Sequence, residues 1–468
     1  METRTIQQLA DACGGVLHAG SPTLAVSRLA TDTRGLASGD AFLALRGERF
    51  DGHDFLQDAV AAGAGVLIVE RPHLDKVPAG GAVIVVENTR LALGRIAAWY
   101  RNAFALPVVA VGGSNGKTST KEMIAALLRS RLAVLASEAS FNNDIGVPLT
   151  LLGLLAAHRA AVVEVGTNHP GELAPLVRMV RPTLGVITSL GREHLEFFGS
   201  LEGVIEEEGW LAELLPADAT LIVNADTPGI ERVVARTQAR VIRVGTTEHA
   251  DWRMTSSGLN GRGMHFEVTA PVAEFSGGYT LPAYGRHQTV NATLALAVAA
   301  ELGLSRADCE RGLASFSPPK RRLQLLDLDG VAVLDDCYNA NADSMGAALE
   351  VLRLLPCRGR RVAVLGDMAE LGPSRLAAHA EVGSRAAAVA EELFAVGAMA
   401  SVMAHAARAA GLRGVHEFTE IGAAADALAS SLKPGDLVLV KASRSARFER
   451  VVEHVRLRRN SSGGETRC

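Results

Sequence analysis

The chain has 468 residues, of which 48% are apolar and 21% charged, and its formal net charge is −4. This balance is typical of a soluble globular protein, and the length predicts about three domains at roughly 150 residues each. Because basic residues are not in excess, we expect neither a nucleic-acid partner nor a general membrane surface.

The cysteines and the apolar segments predict the compartment. The five cysteines are scattered, and no two form a C-x-x-C pair, which indicates reduced thiols and no disulfide framework or zinc site. The first residues include Glu2, Arg4 and Gln7, unlike a secretory signal peptide. The apolar stretch 292–300 is too short to span a bilayer. We therefore expect a cytoplasmic protein.

Residues 1–105 predict a small mixed α/β domain that ends in a connecting helix. Apolar runs at 40–45, 66–69 and 83–86 predict buried strands, and residues 56–62 predict a helix. Residues 91–104 predict the connecting helix, which Pro107 ends.

The second predicted domain, residues 106–316, begins with the most informative segment of the chain. A β-branched apolar run leads into Gly112 and Gly113, and Gly116-Lys-Thr118 follows where a helical pattern starts. A strand, a tight turn and a helix in this order predict a phosphate-binding loop, whose backbone N–H groups close on the phosphates. Lys117 is expected to reach the terminal phosphates, and the Thr118 hydroxyl to ligate Mg²⁺. The common spacing has a glycine where this chain has Val111, so the alternative is an ordinary glycine-rich turn.

Strands and helices alternate through the rest of this domain, which predicts a parallel sheet with helices on both faces. Residues 251–283 interrupt the rhythm with an antiparallel-looking insert, and residues 285–302 predict a long helix. Glu164 closes one predicted strand, and His194 lies six residues past the end of the next. Both are reasonable Mg²⁺ ligands beside a phosphate loop. The alternatives are a carboxylate paired with a helix N-terminus for Glu164 and a capping or packing role for His194.

Consecutive prolines at 318 and 319 predict a linker into a third domain, residues 317–468, with Rossmann-like α/β alternation. The polar stretch 335–344 follows a predicted strand and indicates a site, or alternatively a helix N-cap. Lys441 and Arg444 follow the last predicted strand and are expected to face the same cleft, the alternative being a solvated helix start. Residues 456–468 are polar and predicted to fray.

Taken together, these motifs resemble those of the ATP-dependent Mur ligases over nearly the whole chain. The matching stretches include Thr31-Asp-Thr-Arg34, Asp51-Gly-His53, Gly113-Ser-Asn-Gly-Lys-Thr118, Phe141-Asn-Asn143, Glu164-Val-Gly166, His194-Leu-Glu196, Asn224-Ala-Asp226 and Asp335-Asp-Cys-Tyr-Asn-Ala-Asn341. The short Gly-x-x-Gly-Lys-Thr loop is the family's own form, which accounts for Val111. Two stretches are the most specific within the family, Tyr338-Asn-Ala-Asn341 and Gly366-Asp-Met-Ala-Glu-Leu-Gly372.

The resemblance implies a three-domain α/β fold and an activity. The activity is the ATP- and Mg²⁺-dependent joining of D-alanyl-D-alanine to UDP-N-acetylmuramoyl-tripeptide through an acyl phosphate, in peptidoglycan precursor synthesis. It also implies a monomer whose partners are these small molecules.

The resemblance further implies a role for each site residue. ATP would be bound by Gly112, Gly113, Ser114, Asn115, Gly116, Lys117, Thr118, Asn291, Arg322 and Asp336. The other substrates would be bound by Thr33, Arg34, Asn339, Asn341, Lys441 and Arg444, with Thr33 and Arg34 facing the uridine nucleotide. Lys117, Glu164, His194 and Glu208 would be catalytic, and Thr118, Glu164, His194 and Glu208 would hold Mg²⁺. Domain closure would bring Arg322 and Lys441 onto the phosphates.

Glu208 departs from the family pattern. Fourteen residues after its histidine the family has a lysine that is carbamylated and binds the second Mg²⁺. Because a carbamylated lysine is a carboxylate on a long arm, glutamate keeps the charge and loses reach. We hypothesise that Glu208 replaces this lysine through a shifted helix or a bridging water; the alternative is a solvated acidic helix face. Of the consecutive glutamates 206–208, at most one can face the metal.

Two other functions stay open on the sequence alone. One is a related amide ligase of the folylpolyglutamate type, against which the Tyr338-Asn-Ala-Asn341 stretch argues. The other is a nucleotide-binding scaffold without catalysis, which Glu208 motivates. The sequence does not distinguish diaminopimelate from lysine as the third residue of the tripeptide.

Overall fold

The computed structural model describes residues 1–47, 49–261 and 263–462. In this part of the chain the strands form three large sheets and one two-stranded pair. Each large sheet draws its strands from one of the three predicted segments. The α/β fold class is confirmed.

A five-stranded sheet forms the centre of the first segment. Its elements are β1 (Arg4–Thr5), α1 (Ile6–Cys13), β2 (Val16–Ala19), β3 (Ala25–Val26), β4 (Leu29–Ala30), β5 (Ala41–Leu43), α2 (Leu56–Ala61), β6 (Val66–Glu70), β7 (Ala82–Val86) and α3 (Thr89–Arg101). The sheet order is β2-β7-β6-β5-β4; β2 is antiparallel to β7, and the other pairs are parallel. The separate pair is β1 with β3. The predicted strands and helices of this segment are confirmed.

A nine-stranded sheet forms the second segment. Its elements are β8 (Val108–Gly112), α4 (Lys117–Arg129), β9 (Val134–Ala136), α5 (Gly146–Leu152), β10 (Ala160–Glu164), α6 (Leu173–Val180), β11 (Leu184–Ile187), α7 (Leu195–Phe198), α8 (Leu201–Glu213), β12 (Thr220–Asn224), α9 (Ile230–Val234), β13 (Arg240–Gly245), β14 (Trp252–Asn260), β15 (Gly263–Thr269), β16 (Gly277–Leu281), α10 (Arg286–Glu301) and α11 (Arg306–Ser315). The sheet order is β16-β15-β14-β13-β12-β11-β8-β10-β9. It is antiparallel only from β14 to β16, which confirms the predicted insert.

The central strand β8 sets the position of the site. It lies between β10 and β11; the connection from β8 passes β10 to reach β9, whereas the connection from β10 passes back across β8 to reach β11. Ligands bind at such a switch point, outside the carboxyl ends of the strands. The buried polar residues Glu164 and Thr188 lie at the same ends of the neighbouring strands.

A six-stranded sheet forms the third segment. Its elements are β17 (Gln324–Leu328), β18 (Val331–Asp335), α12 (Ala342–Leu354), β19 (Arg361–Gly366), α13 (Arg375–Ala387), β20 (Glu392–Val396), α14 (Ala400–Ala409), β21 (Gly414–Phe418), α15 (Ile421–Ser431), β22 (Leu437–Lys441) and α16 (Glu449–Ser462). The sheet order is β17-β18-β22-β19-β20-β21, and all pairs are parallel except β17 with β18.

The C-terminal helix corrects one prediction. Residues from 456 were expected to fray, but α16 continues to Ser462. Val451, Val452 and Val455 anchor the helix in the core of the third segment, and the Arg459 guanidinium donates a 2.8 Å hydrogen bond to the Leu432 carbonyl. The rest of that prediction, residues 463–468 with Cys468, lies outside the described residues.

Apolar burial runs through all three segments. Strands β8 and β10 are buried along their whole length, as strands covered on both faces must be. Helix α10 is buried from Gln288 to Ala299. Among the residues that the structure describes, no helix has the length and apolar character to cross a membrane. Of the described cysteines, Cys13, Cys309, Cys337 and Cys357 are free thiols.

Candidate active site

The loop between β8 and α4 has the conformation of a phosphate-binding loop. Gly113 and Gly116 have φ angles of 109° and 89°, which residues with side chains rarely adopt. Space forbids a side chain as well, because a Cβ atom on Gly113 would lie 2.6 Å from the Thr188 hydroxyl and one on Gly116 would lie 2.9 Å from the Asn291 amide oxygen. Helix α4 therefore begins at Lys117 with its N–H groups open to the cleft.

Lys117 lies folded back on this loop among buried carboxylates. Its ammonium donates to the carbonyl of Gly113 and, at 3.3 Å, to that of Ser114. The Glu193 carboxylate lies 3.6 Å from the ammonium. Burial alone would lower the pKa of Lys117, but the charges of Glu193, Glu208 and Glu164 outweigh it and raise that pKa. The lysine is therefore positively charged and suited to bind an anion.

Glu164 closes β10 beside the helix start. Its Oε1 accepts hydrogen bonds from the Thr118 hydroxyl at 3.2 Å and from the Asn142 amide at 2.9 Å. Its Oε2 is buried and has no partner in the described structure. A buried carboxylate oxygen without a partner is costly, and a cation would satisfy it.

Glu208 lies beneath the loop. Its side chain is fully buried, and its Oε2 accepts a 2.7 Å hydrogen bond from the backbone N–H of Gly113. Its Oε1 has no partner in the described part of the chain. Burial raises the pKa of Glu208 to about 7. Of the three consecutive glutamates only Glu206 is exposed, so the alternative of a solvated acidic face is wrong for Glu207 and Glu208.

Trp210, two residues after Glu208, has a packing role. Its ring lies 5.1 Å from the Arg236 guanidinium and 5.9 Å from that of Arg178, which are cation–π distances.

The third domain forms the opposite wall of the cleft. Lys441 ends β22 and pairs with Asp336 at 2.6 Å, while its ammonium also donates to the Asn339 carbonyl at 2.9 Å. The Arg322 guanidinium stacks on the Tyr338 ring at 4.2 Å. Lys441 is buried, so a solvated helix start does not describe it. Asn341 is the N-cap of α12 and also donates a 2.9 Å hydrogen bond to the Asn115 side chain of the phosphate loop.

His194 is held by the third domain. Its Nδ1 is hydrogen-bonded to the Glu370 carboxylate, and the backbone N–H of Glu196 donates to the Glu370 carbonyl at 3.0 Å. Both His194 and Glu370 have left-handed φ angles, 48° and 59°. Such conformations cost on the order of 1–3 kcal/mol each and cluster at functional sites.

Arg192 joins the second and third domains just before His194. Its guanidinium pairs with Asp343 at 2.7 Å and with Glu381 at 2.8 Å, and its backbone N–H donates to Asp343 at 2.8 Å. Hydrogen bonds to the Glu381 and Asp343 carboxylates raise the pKa of Arg192, so its guanidinium stays charged. The contacts tie the second domain to the third at the edge of the cleft.

Replacing Arg192 by alanine is expected to shift the domains toward an open arrangement. A half-exposed ion-pair network contributes up to about 1 kcal/mol, so the KM for ATP should rise about fivefold with kcat little changed. Small-angle scattering and steady-state kinetics measure the two effects. Arg311→Ala removes an exposed ion pair within the second domain and is the matched control. An unchanged KM and scattering profile would contradict this role of Arg192.

The cleft between these walls has a volume of about 1900 Å³. The predicted residues that line it are Ser114, Asn115, Gly116, Lys117, Thr118, Glu164, His194, Asn291, Arg322, Asp336, Asn339, Asn341, Lys441 and Arg444. Gly112, Gly113 and Glu208 lie behind the loop and do not line it, and neither do Thr33 and Arg34 of the first domain.

Sequence reasoning missed several residues at this cleft. Arg192 and Glu193 immediately precede His194. Their charge, a few residues past a buried strand, was the sequence feature that could have indicated a place in the site. Asp343 lies in the stretch 335–344 that was expected to form a site, but its pairing with Arg192 was not predicted, and Glu381 gave no signal, because only the fold brings these helix residues to Arg192.

One cluster elsewhere has metal-ligand residue types. Asp51, His53 and His73 of the first domain place three potential ligand atoms within 4.8 Å of one another. However, His53 Nε2 accepts a 3.0 Å hydrogen bond from the Glu70 N–H, so a neutral ring carries its proton on Nδ1, 2.6 Å from Asp51. With both nitrogens in use, His53 supports the fold and does not ligate a metal.

Three family models match the chain in order. The Mur ligase family catalytic domain matches residues 25–101, the Mur ligase middle domain residues 111–299, and the glutamate ligase domain of Mur ligases residues 321–444. A UDP-N-acetylmuramoyl-tripeptide–D-alanyl-D-alanine ligase of Escherichia coli is 39% identical over 96% of this chain and 97% of its own. The protein of that name from Bacillus subtilis is 32% identical over 97% and 98%.

Solved structures agree with this assignment. MurF from Acinetobacter baumannii has a TM-score of 0.88 and 34% identity, covering 98% of this chain and 99% of that one. MurF from Thermotoga maritima in complex with ADP has a TM-score of 0.81 and 28% identity, covering 93% and 98%. A folylpolyglutamate synthase of Mycobacterium tuberculosis, at 17% identity, shares the fold alone. The chain belongs to the Mur ligase family.

Proposed function

We propose that this chain joins D-alanyl-D-alanine to UDP-N-acetylmuramoyl-tripeptide at the expense of ATP, as a cytoplasmic monomer in peptidoglycan precursor synthesis. The observation that carries the proposal is end-to-end similarity to ligases of that name, together with a cleft in which a phosphate loop faces the Tyr338-Asn-Ala-Asn341 stretch. No comparable observation favours the folylpolyglutamate-type activity.

ATP binds along the phosphate loop in this proposal. The N–H groups at the start of α4 and the Lys117 ammonium hold the β- and γ-phosphates, since helix N-termini and a lysine charge stabilise anions. Asn291, which touches Gly116, lies on the adenine side. Arg322 and Asp336 close on the nucleotide from the third domain. Lys117 leaves its own loop carbonyls for the phosphate when the nucleotide arrives.

Mg²⁺ fits the donors at this site. Thr118 and Glu164 would hold one ion, because the Glu164 Oε2 is buried without a partner among the described residues. His194 is proposed for a second ion, for which Glu208 was the further ligand predicted from the sequence. Bound Mg²⁺ would neutralise phosphate charge during transfer. The charge of Glu164, Glu193 and Glu208 around one lysine also calls for added cations once a polyanion binds.

The chain's residues then position two substrates for an amide-forming reaction. A carboxylate oxygen of the tripeptide attacks the γ-phosphorus, and the bond from that phosphorus to the ADP oxygen breaks. The amine of D-alanyl-D-alanine attacks the resulting acyl phosphate, loses a proton and displaces inorganic phosphate. Asn339, Asn341, Lys441 and Arg444 line the cleft, and we propose that they orient the dipeptide and stabilise developing negative charge. Arg192 and Glu370 keep the cleft closed against water.

Thr33 and Arg34 are proposed to contact the uridine end of the substrate. They begin a short helical turn, Thr33–Gly35, and the Arg34 side chain is 88% exposed beside Asp32. Their position outside the cleft suits a long substrate whose peptide end alone must reach the phosphates.

Phosphate release measured with each substrate omitted in turn tests the proposal. We expect release only when ATP, UDP-N-acetylmuramoyl-tripeptide and D-alanyl-D-alanine are all present. Release with a folate and glutamate instead would favour the other ligase class. Nucleotide binding without release for any substrate pair would favour a scaffold.

A further inference from the structure

Glu193 is a buried carboxylate at the cleft that has no part in the phosphate binding described above. Its side chain is only 10% exposed, yet it lines the cleft. Its Oε2 lies 3.6 Å from the Lys117 ammonium and 3.9 Å from His194 Nε2. One carboxylate oxygen thus lies between the loop's lysine and the free nitrogen of the histidine.

The hydrogen bonding of His194 leaves its Nε2 as the nitrogen that can bind a ligand. Because His194 Nδ1 is hydrogen-bonded to Glu370, only Nε2 is left for a ligand, and it points toward Glu193. A carboxylate behind the ring is the usual way in which proteins orient a metal-binding histidine.

Glu208 lies on the other side of the loop. Its Oε2 is committed to the Gly113 N–H at 2.7 Å, and a Cβ atom on Gly112 would lie 3.1 Å from that oxygen. The loop backbone therefore separates the Glu208 carboxylate from the cleft, which it does not line. To reach a cation in the cleft, Glu208 would have to give up the Gly113 hydrogen bond.

We propose that Glu193, with His194 Nε2, ligates the second divalent cation, and that Glu208 is a positioning residue that supports the loop from below. This inference rests on the proposed magnesium–nucleotide site. Adjacent ligands of a six-coordinate Mg²⁺ lie about 3 Å apart, so the 3.9 Å between the two atoms closes with a shift of about 1 Å. The buried Glu164 Oε2, which has no partner among the described residues, is independent evidence that this wall is built for cations.

Counting bound Mn²⁺ tests the proposal. Free Mn²⁺ is measured by electron paramagnetic resonance with the protein in excess over β,γ-methylene-ATP, which is not cleaved, so that the nucleotide is bound to protein. We expect the unaltered protein and Glu208→Gln to bind two Mn²⁺ per nucleotide, and Glu193→Gln to bind one. Glu193→Asp should recover the second ion with weaker affinity. Glu206→Gln, an exposed change in the same acidic run as Glu208, is the matched control and should bind two.

The outcomes distinguish failure of the Glu193 proposal from failure of the magnesium–nucleotide site on which it rests. A Glu193→Gln protein that still binds two ions would overturn the proposal, as would loss of the second ion in both Glu193→Gln and Glu208→Gln. One ion per nucleotide on the unaltered protein would overturn it too. No Mn²⁺–nucleotide binding at all would instead refute the magnesium–nucleotide site on which it rests. Thermal melting of each variant shows that the protein is folded, so that a lower count reports ligation.

Discussion

Replacing Lys117 by methionine is expected to lower the rate of substrate-dependent phosphate release by about 10²–10³-fold, the usual cost of removing one preorganised charge from a reacting group. Lys117 is the buried cation of the loop, and Glu164, Glu193 and Glu208 surround it. Methionine fills a similar volume but cannot balance their charge or that of the γ-phosphate. Phosphate release assays quenched at fixed times, at saturating substrate concentrations, measure the effect on kcat.

A matched control for this change is Lys76→Met, which removes an exposed ion pair with Asp54 in the first domain. It should leave phosphate release within about twofold, because exposed pairs contribute little. If Lys117→Met retained more than a tenth of the activity while Lys76→Met behaved normally, the phosphate would not be held where the loop geometry places it.

Replacing Glu164 by glutamine is expected to produce a loss of similar size, about 10²-fold or more in kcat/KM for ATP, with a higher Mg²⁺ requirement. The glutamine carbonyl can still accept from Thr118 and Asn142, so the local hydrogen bonds survive. Its amide group, however, places a donor where Oε2, without a partner in the described part of the chain, now lies. A donor there repels a cation.

Titration of activity with Mg²⁺ measures this effect, and Glu206→Gln provides the comparison, since Glu206 is exposed on α8. The role of Glu164 as a cation ligand would be refuted by an unchanged Mg²⁺ dependence. Thermal melting should change little in either protein, because the change removes charge and keeps shape.

The parts of the site that depend on local sequence were predictable. The turn at Gly113 and Gly116 follows from the residues themselves, because glycine is what such φ angles and close approaches require. The parallel alternation likewise predicted that Glu164 and His194 would come to the same edge of the sheet. Lys441 and the stretch containing Asp336 each follow a predicted strand and were expected at the same cleft, where the two residues form an ion pair.

The parts that depend on packing between elements were not predictable. Glu208 was expected on a helix near His194, but the sequence does not say that α8 would place it under the loop and against Gly113. The contacts of Arg192 with Asp343 and Glu381 join residues more than 150 positions apart through domain packing. Neither pattern nor periodicity encodes such a contact, since side-chain spacing reports only which face of one element is buried.

Isotope transfer tests the central claim most directly, namely that this site activates a peptide carboxylate by phosphorylation. The terminal carboxylate of UDP-N-acetylmuramoyl-tripeptide is labelled with ¹⁸O, and the phosphate released during reaction with ATP and D-alanyl-D-alanine is analysed by mass spectrometry. The mechanism predicts one ¹⁸O atom in each released phosphate, because the attacking carboxylate oxygen leaves with it. Unlabelled phosphate accompanying product formation would contradict the account.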